Sequence, residues 1–526
     1  MDLPFLFESN SSIEYAPGLV GRSRSGLFKH ICLDSNQIYM CKKKNRELII
    51  MNKRILVYIL AFCAIVTFAS FGATDKPQAD LTGTWLGTLD VSGFKLRIVF
   101  HFKKSDEGKL LGTMDSPDQG AYNLPVDTVK VDSNKVHLAA ISLAMTVDGK
   151  LSQNDSVMTC DFVQSGTTLP LTLERTDQVP IVSRPQNPVQ PYPYDTAAVK
   201  FENQEAGITL AGTLTMPKSQ PPHPAVILIT GSGPQDRDET IFGHKPFWVI
   251  ADYLSRQGVA VLRYDDRGYA GSTGNFASAT SEDFAGDVRA AIAFLQKNSD
   301  IDPNQIGLIG HSEGALIAPM VAAQNKDVAF IVLLAAPGVV GEEILYEQAA
   351  LMNKANGIND SLISWNRNFQ KEFFRILKSE PDSVKAKAMI KEMAHKKLDE
   401  LNDAEKQTLG LTEQELDSQI NSFTSNWFRK FLTYDPIPAL QRVACPILVL
   451  YGELDLQTPP EQNAKVIEQA LKESGNKDFT VKVLPSLNHL FQTAATGSPK
   501  VYGIITETFA PVALETMSSW ILERVH

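Results

Sequence analysis

Two kinds of hydrophobic pattern divide the chain. Between residues 80 and 176 apolar and polar positions alternate, as in "FKLRIVFHF" (94–102), the two-residue period of strands with one buried face. Turn formers recur between these runs: Asp106-Glu107-Gly108, Asp132-Ser133-Asn134, Asp148-Gly149 and Asn154-Asp155. Trp85 lies between Gly83 and Gly87 in "LTGTWLGTL". The segment predicts a small all-β accessory domain, an eight-stranded antiparallel barrel or sandwich with a packed interior.

From residue 198 the pattern changes to strand, glycine-rich turn and helix in repetition. The runs "AVILIT" (225–230), "VAVLRY" (259–264), "IGLIG" (306–310), "AFIVLLAA" (329–336) and "PILVLYG" (446–452) are almost continuously apolar. Strands covered on both faces look like this, and they imply a mostly parallel sheet between helical layers. "DFAGDVRAAIAFLQKN" between two of them has helical spacing. The fold class is therefore α/β, doubly wound, over residues 198–526. Residues 341–435 interrupt it with amphipathic helical pieces such as "DSVKAKAMIKEMAHKKLDEL" and a capping pair at Thr412 and Glu415. An inserted helical cap over the C-terminal edge of the sheet is expected there. Between the two domains, residues 177–197 open with "DQVPIVSRPQNPVQPYPYD", whose five prolines exclude a helix or central strand and predict a stiff linker.

The N-terminal region follows neither pattern. Residues 1–50 lack any period and are read as a non-native extension ahead of Met51. Residues 51–73 then have the layout of a secretory signal: Lys53 and Arg54, an apolar run from Ile55 to Phe68, and the small-x-small site Ser70-Phe71-Gly72. Export to the periplasm or medium is expected, with no stable membrane insertion after cleavage; the alternative is an uncleaved anchor through residues 55–72. Bulky Phe62 before Cys63 argues against a lipid anchor on that cysteine.

Composition adds exclusions. Hydrophobic content of 43% and charged content of 21% fit a globular chain. Without residues 1–73 there remain 41 basic against 55 acidic side chains, a net charge of −14. An acidic chain with no long basic run is a poor nucleic-acid binder. Only Cys160 and Cys445 lie beyond residue 73, in different domains, and are expected as buried thiols rather than a disulfide framework.

The candidate chemistry centres on Gly310-His311-Ser312-Glu313-Gly314. Such a pentapeptide alone is common, but this one follows the buried strand "QIGLI" and precedes the helix "EGALIAPMVAAQ". That is the setting of a nucleophile elbow, in which flanking glycines make room for a strained turn carrying the serine. Pro319 should kink the helix after its first turns. A serine hydroxyl needs a base, and the base needs a carboxylate to orient it, in the chain order Ser, acid, His. After the late strands only His489, in "LPSLNHLFQ", and the terminal His526 remain, so His489 is the expected base. "LYGELDLQTPP" offers Asp455 as the acid, with Glu453 second. Oxyanion donors are expected at the backbone N–H groups of Glu313 and of Ser232, the latter in Gly231-Ser232-Gly233. That glycine loop lacks the spacing of a nucleotide-binding loop. No metal or organic cofactor is called for.

Several stretches, "GTLTMP", "PAVILITGSGPQDRDET", "GHKPF", "LRYDDRGYAGSTG" and "GLIGHSEGALIA", resemble α/β-hydrolase carboxylesterases related to the serine aminopeptidase-like hydrolases, a subgroup with an N-terminal β domain. The resemblance covers about residues 198–526 and extends more loosely to "SPDQGAYNLPVD" in the β domain. It implies hydrolysis of short-chain acyl esters, small molecules, with Ser312, Asp455 and His489 as the triad. It also implies that Asp266 and Arg267 stabilise the loop after their strand, the alternative being a surface ion pair. Ala270 departs from the usual second glycine of "GYAGS" and puts the local geometry in question. A peptidase or amidase could use the same triad, although the many glutamates of the insertion fall mostly on solvated helix faces. Trp427, Phe428 and Phe431 are expected to dock the insertion rather than line an acyl pocket.

Overall fold

The computed structural model describes residues 79–525, apart from 92–93, 120, 165–166, 179–182, 410 and 412. Residues 1–78 and His526, and with them the signal segment, lie outside the described residues, as does Thr412 of the expected capping pair.

The first domain is a single antiparallel sheet of nine strands, in the order β4-β3-β2-β1-β9-β8-β7-β6-β5. β1 spans Gly83–Val91, β2 Phe94–Lys104, β3 Leu110–Ser116, β4 Ala121–Val126, β5 Thr128–Asp132, β6 Lys135–Ala140, β7 Met145–Leu151, β8 Val157–Gln164 and β9 Thr167–Thr176. The two edge strands, β4 and β5, are separated by Asp127 alone. A chain that steps from one edge to the other in one residue brings the edges together, so the sheet is rolled. Its interior is filled by Trp85, Phe100, Met114, Leu138, Val147 and Met158, among others, all fully buried. The Trp85 indole N–H donates to the Leu81 carbonyl at 2.8 Å, and the Arg175 guanidinium covers the ring.

Two expectations for this domain are corrected. There are nine strands rather than eight, because "AYNLPVDTVKVD" is two strands. Asp148-Gly149 is not a turn but lies within β7. A Cβ on Gly149 would stand 2.6 Å from the Cys160 Cβ on the facing strand, so glycine serves there for close approach rather than for reversal.

The second domain begins at Asp195, slightly earlier than expected. Its eight-stranded sheet has the order β10-β11-β13-β12-β14-β15-β16-β17. These strands span Asp195–Asn203, Ile208–Met216, His223–Ile229, Ala260–Tyr264, Ile301–His311, Val328–Leu334, Ile447–Gly452 and Phe479–Leu484, from β10 to β17. β10 and β11 pair antiparallel; from β13 through β17 all pairs are parallel. Successive residues alternate between two cores. Ile227, Leu308, Leu333 and Val449 pack with the helices Ser281–Leu295, Gly314–Ala322 and Pro460–Ser474. Leu228, Ile309, Leu334 and Leu450 pack with Pro246–Ser255 and Pro511–Val525 on the other face. Near-continuous apolar runs follow from this two-sided burial. The helix after Ser312 runs through Pro319 to Ala322 with every residue buried.

Among the described residues seven helices lie between β15 and β16, and the six from Gly341–Ala355 to Asn426–Thr433 make up the insertion. They enclose a core of their own that includes Phe373, Phe374, Ile390, Leu416 and Phe428. Trp427 stacks on Phe431 with centroids 5.2 Å apart, and Phe431 joins the core of the sheet domain, so this pair docks the insertion.

The linker is strapped down rather than free. Arg184 donates to the carbonyls of Phe242 (2.8 Å), Gly503 (2.7 Å) and Ile505 (2.9 Å), and the Gln186 side chain bonds Phe509 in both directions. The β domain meets the same region: a Cβ on Gly503 would lie 2.0 Å from the Asp118 carbonyl oxygen. No helix among the described residues is long and apolar enough to cross a membrane.

Candidate active site

Ser312 sits immediately after β14, the strand that lies between β12 and β15. It adopts φ +53°, a left-handed conformation rare for a residue with a side chain. The turn is tight on both flanks. A Cβ at Gly310 would stand 2.1 Å from the Gly314 carbonyl oxygen, and one at Gly314 2.2 Å from that of Ile229. Both glycines are therefore required by close approach, and strain at such a turn is a common mark of a functional position.

Asp455 follows β16 and His489 follows β17. Asp455 Oδ1 accepts the backbone N–H groups of Gln457 (2.8 Å) and Thr458 (2.9 Å). Its Oδ2 accepts the Thr458 hydroxyl (2.7 Å) and faces His489 Nδ1 at 2.8 Å. Burial alone would raise this carboxyl, but His489 and the Thr458 donors outweigh it and hold it below the usual carboxylate range. Since Asp455 is an acceptor, it fixes the His489 tautomer with the proton on Nδ1, leaving Nε2 with its lone pair. The loop bearing His489 is stiffened by Asn488, whose side-chain oxygen takes the N–H groups of Leu490 and Gln492, both at 3.0 Å. Glu453, the second candidate acid, is elsewhere: its carboxylate accepts the Ser486 N–H at 2.9 Å.

His489 is tied to the segment of Ser312 through His311. Its Nε2 bonds the His489 carbonyl at 3.0 Å, and the two rings lie 4.9 Å apart. Among the described residues neither Ser312 Oγ nor His489 Nε2 has a hydrogen-bond partner. On the opposite side Gly231 abuts the elbow; a Cβ there would lie 3.4 Å from the Ser312 Cβ. The backbone N–H groups of Ser232 and Glu313 make no hydrogen bond to another described residue.

Charge pairs hold the Ser232 loop in place. Asp266 accepts the Thr230 hydroxyl (2.7 Å) and the Gln235 N–H (2.8 Å); Asp265 takes the Arg237 N–H and both ends of its guanidinium at 2.6–2.9 Å. Asp266 and Arg267 are both buried, which corrects the surface-pair alternative, and they do not pair with each other. Arg267 instead binds Asp287 at 2.7 and 2.8 Å, on the helix Ser281–Leu295. Burial pushes the Asp266 carboxyl well up against the lowering pull of Thr230 and Gln235. Ala270 takes φ +45°, so it occupies the left-handed position a glycine would fill.

The side chain of Glu313 points away from its amide into the protein. Its Oε1 accepts the Ser281 hydroxyl at 2.6 Å and the Trp427 indole N–H at 2.7 Å, tying the helical insertion to the elbow. Burial raises this carboxyl, opposed by Ser281, Trp427 and Ser232. Behind it lies a cavity of about 10 Å³, bounded by Thr230, Asp266 and Glu313, room for one water at most. Sequence reasoning left out His311, Glu239, Thr458 and Asn488. The complementary charges of "QDRDE" and "YDDRG" were the one signal that the two loops interlock.

Cys160 and Cys445 are free thiols, each pushed up to about 12 by burial. Among the described residues no group of three or more His, Cys, Asp or Glu side chains could hold a metal ion.

The sheet order, the elbow after its central strand and the loops that carry Asp455 and His489 define the second domain as an α/β-hydrolase. Within it, residues 247–493 match the family model described as serine aminopeptidase, S33. Among curated proteins the chain is similar to Esterase EstD of Thermotoga maritima, 27% identical over 295 residues, which is 55% of this chain and 60% of EstD. It is also similar to the uncharacterized protein Rv2307c of Mycobacterium tuberculosis, 37% identical over 82 residues, 16% of this chain and 28% of that one. The chain thus spans less than two thirds of the length of either relative. Among solved structures, the α/β hydrolase GrgF from Penicillium sp. sh18 is 18% identical with a TM-score of 0.39, covering 63% of this chain and 99% of its own. The Pyrococcus furiosus esterase Pf2001 is 13% identical with a TM-score of 0.40, covering 63% and 92%.

Proposed function

We propose that the chain is a serine hydrolase that cleaves carboxylic esters of short acyl chains through an acyl-enzyme. The observation that carries this reading is the buried Asp455–His489 hydrogen bond, which leaves His489 Nε2 as a proton acceptor beside the elbow at Ser312. In the first half-reaction Ser312 Oγ attacks the ester carbonyl as its proton passes to His489 Nε2. The amides of Ser232 and Glu313 receive the oxyanion, each such donor typically supplying a few kcal/mol. His489 then returns the proton to the departing alkoxide. Water, deprotonated by the same nitrogen, attacks the acyl group, and collapse of the second tetrahedral intermediate restores Ser312. Asp455 stays ionised throughout and holds the imidazolium. The helical insertion acts as a cap anchored at Trp427.

The name of the Thermotoga relative favours esters, and the description of the family model favours the alternative, a peptidase or amidase. Rates on p-nitrophenyl esters of increasing acyl length, set against aminoacyl p-nitroanilides, separate the two. Ester turnover that Ser312→Ala leaves intact would sink the reading as a whole. We infer export with removal of residues 51–73, which N-terminal sequencing of the protein recovered from the native host tests directly.

A further inference from the structure

His311 stands directly before the nucleophile and touches no reacting atom, yet both of its ring nitrogens are committed. Nδ1 lies 2.9 Å from the Glu239 carboxylate, and Nε2 lies 3.0 Å from the His489 carbonyl oxygen. A carbonyl oxygen can only accept, and an ionised carboxylate can only accept. A neutral imidazole has one N–H and would turn a lone pair toward one of them. Two acceptors at the two nitrogens call for two N–H groups. The same Glu239 oxygen also accepts the Gly231 N–H at 2.8 Å, which is consistent with its being an acceptor rather than a protonated acid. His311 and Glu239 are both buried, at 6% and 4% exposure, so the ion pair is shielded from water and salt.

We infer that His311 is a standing imidazolium, a positioning residue that cross-links the loop of the base to the loop of the oxyanion donor. The chain of contacts runs from the Gly231 amide, next to Ser232, through Glu239 and His311 to the backbone of His489. It passes beside Ser312 and fixes the two halves of the site relative to each other. The ionisable groups around the His311 ring are Glu239 from the loop after β12, His489 from the loop after β17 and Asp455 from the loop after β16; Phe491 closes the remaining side with its ring 6.4 Å away. Although burial opposes the charged form, Glu239 and the His489 carbonyl more than offset it and raise His311 above the ordinary histidine value. A raised value means that the contribution to stability is complete below the unfolded-state pKa near 6.5 and is lost as pH climbs through the folded one.

The positioning role rests on the hydrolase reading; the charge state does not. The full chain labelled with ¹⁵N-histidine gives the first test, with His311→Gln identifying the signal among nine histidines. Two protonated ring nitrogens for His311 are expected at pH 7, where an ordinary imidazole is mostly neutral; one unprotonated nitrogen there overturns the inference whether or not the chain hydrolyses esters. The second test is kinetic. His311→Gln and Glu239→Gln should each lower kcat at least tenfold with KM changed less than threefold, at unaltered fold by circular dichroism. Equal kcat in wild type and both variants would overturn the positioning role, while ester turnover surviving Ser312→Ala would sink the hydrolase reading and leave the NMR result standing.

Discussion

Replacing Asp455 by Asn tests the site at its most constrained atom. The carboxylate accepts four hydrogen bonds, two on each oxygen. The two on Oδ1 come from backbone N–H groups that cannot rotate away, so the amide oxygen of Asn must take that place and its NH₂ group must take the place of Oδ2. There it meets the Thr458 hydroxyl, which can turn and accept, and His489 Nδ1, which can accept only by giving up its proton. His489 therefore moves its proton to Nε2, the nitrogen that has to receive one from Ser312. Forcing the active tautomer back would set two N–H groups against each other in a buried site. A lost buried partner costs about 1–3 kcal/mol, and with the missing charge behind the imidazolium we expect about 3–5 kcal/mol in total. At about 1.4 kcal/mol per decade that is a fall of roughly a hundred- to several-thousandfold in kcat. The assay is initial-rate hydrolysis of a p-nitrophenyl ester with a urea melt to verify folding. Glu453→Gln, which disturbs only the bond to Ser486, should leave kcat within about threefold. A kcat for Asp455→Asn within tenfold of wild type, or a larger loss for Glu453→Gln, would refute the assignment of the acid.

Three further substitutions probe the structure around the site. Ala270→Gly relieves a left-handed alanine at about 1–2 kcal/mol against a larger unfolded-state entropy of about 0.4–1 kcal/mol; we expect a gain of about 0.5–1 kcal/mol in urea denaturation, and a loss would show that the loop is not strained. Trp427→Phe keeps the ring that stacks on Phe431 but removes the N–H donated to Glu313; stability should fall by about 1–2 kcal/mol, and no change would mean that the contact adds nothing to docking the insertion. Gly503→Ala places a methyl group against the Asp118 carbonyl, so the β domain should lift from the 499–504 turn, read as several-fold faster elastase cleavage after Val182 or Val189 in the linker. An unchanged cleavage rate would show that the two domains are not held together at this contact.

The parallel strands were legible because a strand covered on both faces must be apolar at every position, a pattern few other structures share. β10 and β11 lead into the sheet antiparallel and carry polar positions such as Lys200, Glu202 and Thr213, so they did not announce themselves. Glycine misled within β7, since the residue that permits a turn is also the one that lets two strands approach. Asp455, His489 and Ser312 could be picked out as candidates from sequence for a different reason: chain order and strand context leave at most two candidates at each place, Asp455 or Glu453 and His489 or His526. No such order constrains His311 and Glu239, 72 positions apart, whose roles exist only through each other.

That contrast explains the arrangement around Ser312. An elbow so tight that Gly310 and Gly314 admit no side chain leaves, besides Ser312, only residues 311 and 313 to reach neighbouring segments, and both are polar and buried. His311 reaches the loops of the base and of Gly231; Glu313 reaches the helix Ser281–Leu295 and the insertion. Buried polar groups of this kind cost desolvation that apolar residues would avoid, so replacing both members of the His311–Glu239 pair by well-packed apolar residues costs far less stability than removing one of them and stranding the other. What such an apolar pair could not do is hold these separate segments in register about one serine hydroxyl. A double variant such as His311→Leu with Glu239→Leu, which removes the ion pair whole, should therefore lose far more activity than stability, whereas parallel losses of both would show that these side chains serve the fold alone.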